Sequence, residues 1–246
     1  MMKINVAVCV SGHLRSSISG HERLKQMLID QNSDRCQFDF FIDTWDLLDW
    51  RSSLGPLEKP DKLSFKNLMS TMGLYNPTQI RIQKNLDFDT SEYVRYVKQG
   101  DVKKNSRGEH ILGMYYKILK ANALKAVHEV ELRFRYDLVI RHRTDFGLKD
   151  PLVITDDLVE KCQSTIFVAQ PYNKMPSWRT DVFALSSSKN MDYYSSLFAR
   201  MDDLVHQNQI FRPEILLYHH LEQPKNLQVE VLPNNWEIIY ENESDN

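Results

Sequence analysis

Cysteine is scarce in this chain: three of 246 residues, Cys9, Cys36 and Cys162, stand far apart with no C-x-x-C pair. That spacing excludes a disulfide framework and a zinc-finger ligand pattern, and it points to a reducing compartment. Glycine (8) and proline (9) are also few, which excludes collagen-like and linker-dominated chains. Neither charge sign dominates. Thirty-one Lys plus Arg face 33 Asp plus Glu, for a formal net charge of -2, so no global positive field draws the protein to nucleic acid and any anion site must be local. Long apolar runs are missing too. The N-terminal run Ile4 to Val10 is broken by Asn5 and stops at Ser11-Gly12, far short of the ~20 residues that span a bilayer. It is also too early and too short for a signal peptide. No transmembrane segment and a cytoplasmic location are the expectations, with a polar tail over 241–246 that frays.

What is present is a regular alternation of short apolar runs and helical patterns. Ile4 to Val10 is β-branched and suits a strand buried on both faces. Leu24, Met27 and Leu28 recur at helical spacing, and Phe38 to Ile42 forms a second strand closing at Asp43-Thr44. Residues 49–110, punctuated by Pro56, Pro60 and Pro77 and carrying a polar stretch over 98–108 with four basic side chains, read as an insertion or lid. Ile111, Tyr115, Ile118, Asn122, Ala126 and Val130 mark a helix of about five turns. Residues 137–143 form the next strand, whose pleat sends Leu138, Ile140 and His142 to one face and Val139, Arg141 and Arg143 to the other. Strands over 164–169 and 181–185, helices over 189–205 and 213–221, and strands over 227–232 and 236–240 complete an α/β chain with a mostly parallel central sheet flanked by helices.

Candidate chemistry sits where these strands end. In Ser11-Gly12-His13-Leu14-Arg15-Ser16 a small residue lets backbone N–H groups approach an anion, and Arg15 offers a bidentate fork to phosphate. The same residues also suit an ordinary β-to-α turn with a surface arginine. The stretch lacks the P-loop and dinucleotide-fold patterns. In Arg141-His142-Arg143-Thr144-Asp145, two arginines on one strand face need anionic partners, which a diphosphate or a structural Arg–Asp network supplies. Asp145, just past the strand, suits Mn²⁺ or Mg²⁺ bridging phosphate oxygens. Asp43 and Trp45 leave the second strand together, placed either to contact a base or ribose or to stay inside as a capping acid and a buried indole. Asp87-Phe88-Asp89 spells D-x-D inside the irregular segment. Asp181 opens a strand and Glu214 opens a helix, and either acid suits a general base unless it only caps its own element. His219 and His220 are adjacent and face different directions on a helix. Tyr193, Tyr194 and Phe198 have core spacing.

Five segments taken in order resemble a known family: Val-Ser-Gly-His-Leu-Arg-Ser at 10–16, Phe-Phe-Ile-Asp-Thr-Trp-Asp at 40–46, Met-Tyr-Tyr-Lys-Ile-Leu-Lys-Ala-Asn at 114–122, Tyr-Asp-Leu-Val-Ile-Arg-His-Arg-Thr-Asp at 136–145 and Arg-Pro-Glu-Ile-Leu-Leu at 212–217. Together they are similar to small bacterial and viral glycosyltransferases with a GT-A-like, Rossmann-like fold, over about residues 4–221. The resemblance implies one GT-A-like domain over 1–240, with 49–110 as its insertion. It implies a nucleotide-sugar donor and a glycan or other hydroxyl acceptor. It sets Asp145 in the place of the D-x-D metal motif, whose first carboxylate is here Arg143. It places Gly12, Arg15, Arg141 and Arg143 beside the nucleotide and Lys117 and Asn122 on the helix before the motif. Glu214 or Asp181 then takes the acceptor proton. A nucleotide-sugar binding module without catalysis and a metal-dependent phosphohydrolase using Asp43 or Asp145 are the alternative readings.

Overall fold

The computed structural model describes residues 3–49, 51–52, 55–56, 61–96, 106–171 and 178–239. Strand β1 (Ile4–Gly12) is a β-branched run with every residue from Val6 to Ser11 buried, and it is an interior strand of a seven-stranded sheet. On one side it pairs in parallel with β2 (Cys36–Trp45), and on the other with β6 (Leu138–His142). Between β1 and β2 the chain forms α1 (Ser17–Leu24), continued by a π turn (Lys25–Ile29) and α2 (Asp30–Asn32). After β2 come the small hairpin β3 (Arg51–Ser52) and β4 (Gly55–Pro56), then α3 (Phe65–Tyr75) and β5 (Gln79–Gln83).

Strand β5 pairs in parallel with β2 and closes that edge of the sheet. This corrects the reading of 49–110 as an insertion alone: α3 and β5 within it belong to the main α/β layers. The polar stretch 98–108 falls mostly outside the described residues, as does the tail 241–246.

Helix α4 (Ser106–Leu132) is longer than its stripe indicated, at 27 residues. Ile111, Tyr115, Ile118 and Ala121 are buried against the sheet, but Val130 is 77% exposed and Glu129 is buried instead. At about 100° per residue, Glu129 returns to the azimuth of Ile111 while Val130 lies a quarter-turn away. After β6 follow β7 (Phe146–Leu148), α5 (Asp156–Lys161), β8 (Thr165–Val168) and β9 (Phe183–Ser186). The helix expected over 189–205 is α6 (Ser188–Ser195), a 3₁₀ turn over 196–200 and α7 (Met201–Asn208). Then come α8 (Pro213–Leu221), β10 (Gln228–Val231) and β11 (Trp236–Ile238), the last pairing antiparallel with β7 in a separate ribbon.

The strand order is β10-β8-β9-β6-β1-β2-β5, with β9 antiparallel to both neighbours. Residues of alternate parity on the central strands feed two cores. Ala7, Cys9, Phe41 and Val139 face α4 and α6–α8, while Val6, Val8, Ile42, Leu138 and Ile140 face α1 and α3. The pleat read from 138–142 is therefore present, and it puts Arg141 on the α4 side. From β1 the chain grows outward through β2 and β5, then crosses back to lay down β6 on β1's other side. A crevice at the carboxyl ends of β1 and β6 is where such a sheet takes a ligand. No helix among the described residues is long and apolar enough to cross a membrane.

Candidate active site

A cavity of about 200 Å³ opens at this switch point, lined by Ser11, Gly12 and His13 from the end of β1, Trp45 from β2, Arg141, Arg143 and Thr144 from the end of β6, and Glu109, His110 and Gly113 from α4. Two glycines shape it. Gly12 has φ +112 with nothing within 4 Å of a built Cβ, so its conformation, not its size, requires glycine there. Gly20 in α1 lets the helix approach β6's exit loop, since a Cβ would come within 1.9 Å of the Thr144 carbonyl oxygen.

The cavity wall carries charge in an alternating chain. Arg15 Nη1 lies 3.2 Å from Asp49, and its Nη2 lies 2.7 Å from Asp145 Oδ2. Arg143 Nε donates to Asp145 Oδ1 at 2.5 Å, and its Nη1 is 3.7 Å from Asp181 Oδ2. Burial alone raises the pKa of Asp145, but Arg143 and Arg15 outweigh it by charge and hydrogen bonds and hold the carboxyl below its usual range. Arg141 is different. Its residue is 2% exposed, and its Nε and Nη1 have no hydrogen-bond partner among the described residues. Burial pushes its pKa down, opposed by the nearby Tyr194 and Asp181. A buried guanidinium in that condition is costly, and an anion arriving in the cleft relieves it.

The structure brings Gly12, Arg15, Trp45, Arg141 and Arg143 to one cavity, with Asp145 directly behind Arg15 and Arg143. It does not bring Asp43, Lys117 or Asn122 to that surface. Asp43, on β2, is buried inside, with Lys117 Nζ 2.6 Å from Oδ1 and Arg81 Nε 2.5 Å from Oδ2. Lys117 also lies 3.8 Å from the Trp45 ring centroid, so the pair supports the aromatic wall from behind. Asn122 donates to Asp192 at 2.8 Å and borders a second, much smaller cavity that shares Ser11 and Arg141 with the first. Asp181 and Glu214 stand outside the lining as well. Tyr115 donates to the Pro213 carbonyl at 2.8 Å, tying α4 to the turn that carries Glu214. Asp87 and Asp89 are exposed, and only Phe88 between them reaches the cavity. His13, Asp49, Asn85, Glu109 and His110 line the cleft without having been singled out by sequence. The signal for His13 was its place directly after the glycine that ends β1.

The chain matches no protein-family model and no curated protein.

The two acids suggested for a divalent cation are already engaged with cations in this structure. Both oxygens of Asp145 already face guanidinium groups, both oxygens of Asp43 face cations in the interior, and no group of three or more His, Cys, Asp or Glu able to hold a metal occurs among the described residues. A hard cation needs such oxygens available to it. The positive charge lining the cleft belongs to Arg15, Arg141 and Arg143.

Proposed function

We propose that this protein is a glycosyltransferase of GT-A-like type, moving a sugar from a nucleoside diphosphate donor to a hydroxyl of a glycan or another acceptor. The observation that carries the reading is Arg141, a buried guanidinium with unpartnered Nε and Nη1 in the wall of a cleft at the sheet's switch point. In the transfer, the bond from the sugar's anomeric carbon to the phosphate oxygen breaks, and negative charge grows on the departing diphosphate. Cations preorganised against that charge lower the barrier because they interact more strongly with the transition state than with the ground state. Arg15 and Arg143 stand beside Arg141, oriented by Asp49, Asp145 and Asp181. Trp45, Leu86 and Phe88 give the same cavity an apolar wall for the nucleoside. The order of the five sequence segments supports the same reading. A metal-dependent phosphohydrolase using Asp43 or Asp145 gains no support, since the oxygens of both acids are held by cations.

The test is a thermal-shift panel of UDP, GDP and CDP and their sugar conjugates, with Mn²⁺ or with EDTA. A ligand at 100 times its Kd stabilises by about 2.7 kcal/mol, which at this chain length raises Tm by roughly 5–10 °C. One nucleotide producing such a shift in EDTA, with release of its diphosphate when an acceptor is supplied, is the expected result. A shift seen only with Mn²⁺ returns the metal role to Asp145. A melting point unmoved by every nucleotide overturns the reading, and a shift without transfer leaves a binding module.

A further inference from the structure

The cleft also holds an imidazole whose hydrogen bonding fixes its chemistry. His13 Nδ1 lies 3.1 Å from the Leu47 carbonyl oxygen. A carbonyl only accepts, so Nδ1 carries the proton, and in the neutral ring Nε2 is the acceptor. Nε2 has no hydrogen-bond partner among the described residues and is not a sealed atom, and His13 lines the cavity beside Gly12 and Arg15. We propose that His13 is the catalytic base of this cleft, its Nε2 taking the proton from the acceptor hydroxyl. This rests on the transferase reading above.

The step balances without another reactant. The acceptor O–H bond breaks and its proton goes to Nε2. The acceptor oxygen bonds the anomeric carbon, and the electron pair of the broken sugar–phosphate bond leaves with the diphosphate between Arg141, Arg143 and Arg15. The imidazolium formed has Asp49 nearby to offset its charge. Before reaction the ring is held neutral: burial lowers its pKa below 6.5, with Arg15 and Lys117 acting in the same sense and the Leu47 carbonyl and Asp49 opposing. The acids suggested by sequence are less well placed. Asp181 and Glu214 lie outside the lining, and Asp49 is paired with Arg15. Glu109 lines the same cavity from the first turn of α4 and is the rival.

The decisive variant is His13→Asn, whose side-chain amide reproduces the Nδ1 donor to Leu47 and deletes Nε2. Diphosphate release from UDP-glucose, GDP-mannose and CDP-glucose is read in parallel with thermal shift by UDP, GDP and CDP. The expected result is an unchanged nucleotide shift with release slowed at least 100-fold and the acid limb of its pH profile lost, in line with a general base. In the parent, diethyl pyrocarbonate at pH 6.5 modifies His13, as mapped by peptide mass. His13→Asn releasing diphosphate within threefold of the parent, a His13 inert to the reagent, or loss of the acid limb in Glu109→Gln but not in His13→Asn would each overturn the proposal. Absence of any nucleotide shift in the parent instead removes the transferase reading, so the two failures are separable.

Discussion

The Lys117 ammonium lies 2.6 Å from Oδ1 of Asp43, with neither side chain reaching solvent. Lys117 also donates to the Thr44 carbonyl at 2.8 Å and sits against the Trp45 ring. Burial pushes its pKa down to about 8 despite the pull of Asp43. The pair is a strut behind the cleft rather than part of its surface. Replacing Lys117 by Met leaves the buried Asp43 with Arg81 as its one ionic partner among the described residues, and breaking a buried pair costs about 3–5 kcal/mol. Urea unfolding of Lys117→Met at pH 7 checks this; a loss below about 1 kcal/mol would show that Arg81 alone suffices.

Arg141 predicts an opposed effect on stability and binding. Its guanidinium is buried with two nitrogens unpartnered, so Arg141→Met removes an unfavourable charge and fills the space with apolar atoms. The free protein should gain on the order of 1–3 kcal/mol, because replacing buried ions by packed apolar groups is often stabilising. Stabilisation by nucleoside diphosphate should vanish in the same variant. Calorimetry of parent and variant with and without UDP, GDP and CDP reads both, and a variant still stabilised by nucleotide removes Arg141 from the anion site.

Two deeply buried histidines contribute most visibly to the acid side of the stability curve. His220 stacks on Tyr193 at 4.4 Å and is pushed down to about 4, chiefly by burial; His142, between Phe146 and Phe183, is pushed down to about 3 by burial and by Arg141. Below pH 6.5 the unfolded chain binds a proton on each, whereas the folded protein does not until the lower values. Stability from both is therefore full above pH 6.5 and falls on acidification, by about 1.4 kcal/mol per histidine per pH unit until each folded-state value is reached. Urea midpoints between pH 7.5 and 5 should show this slope, shallower in His220→Asn, with His13 and His21, which burial also shifts down, keeping part of it. An unchanged slope in that variant would place the acid sensitivity elsewhere.

Gly20→Ala tests how α1 positions the cleft. The new methyl meets the Thr144 carbonyl, a backbone atom of the loop between Arg143 and Asp145. The clash has no flexible side chain to absorb it, so a loss of about 1–3 kcal/mol is expected, the range for overpacking a tight contact. Nucleotide affinity should fall with it, since Arg143 and Asp145 flank the displaced residue. Retained affinity in a destabilised Gly20→Ala would show that the loop adjusts without moving the arginines.

Much of the architecture was legible because it rests on local pattern. The apolar runs at 4–10, 38–42 and 138–142 had to be strands buried on two faces, and Pro213 marks the first residue of α8. Other elements were hidden for physical reasons. Strand β5, Gln79–Gln83, is a sheet edge whose residues are only half-buried or exposed, so its composition is mixed. Helix α3 exposes Phe65 and Met69, so its apolar residues do not trace one buried face. In α4 the core-facing position after Ala121 and Asn122 is Lys125, which pairs with Glu129 and Asp192 and so buries charge where an apolar stripe was sought.

The same division holds at the site. Alternation along β6 by itself put Arg141 and Arg143 on one face, and glycine at position 12 marked the turn beside them, because both follow from backbone geometry of consecutive residues. Only the tertiary structure decided that Asp145 is shared between Arg15 and Arg143, that Asp43 and Lys117 seal each other away, and that His13 rather than Asp181 or Glu214 opens on the cavity. Those outcomes depend on groups up to 130 positions apart meeting at 2.7 Å. Which opposite charges neutralise one another is set by packing across strands and helices, and chain order carries no record of it.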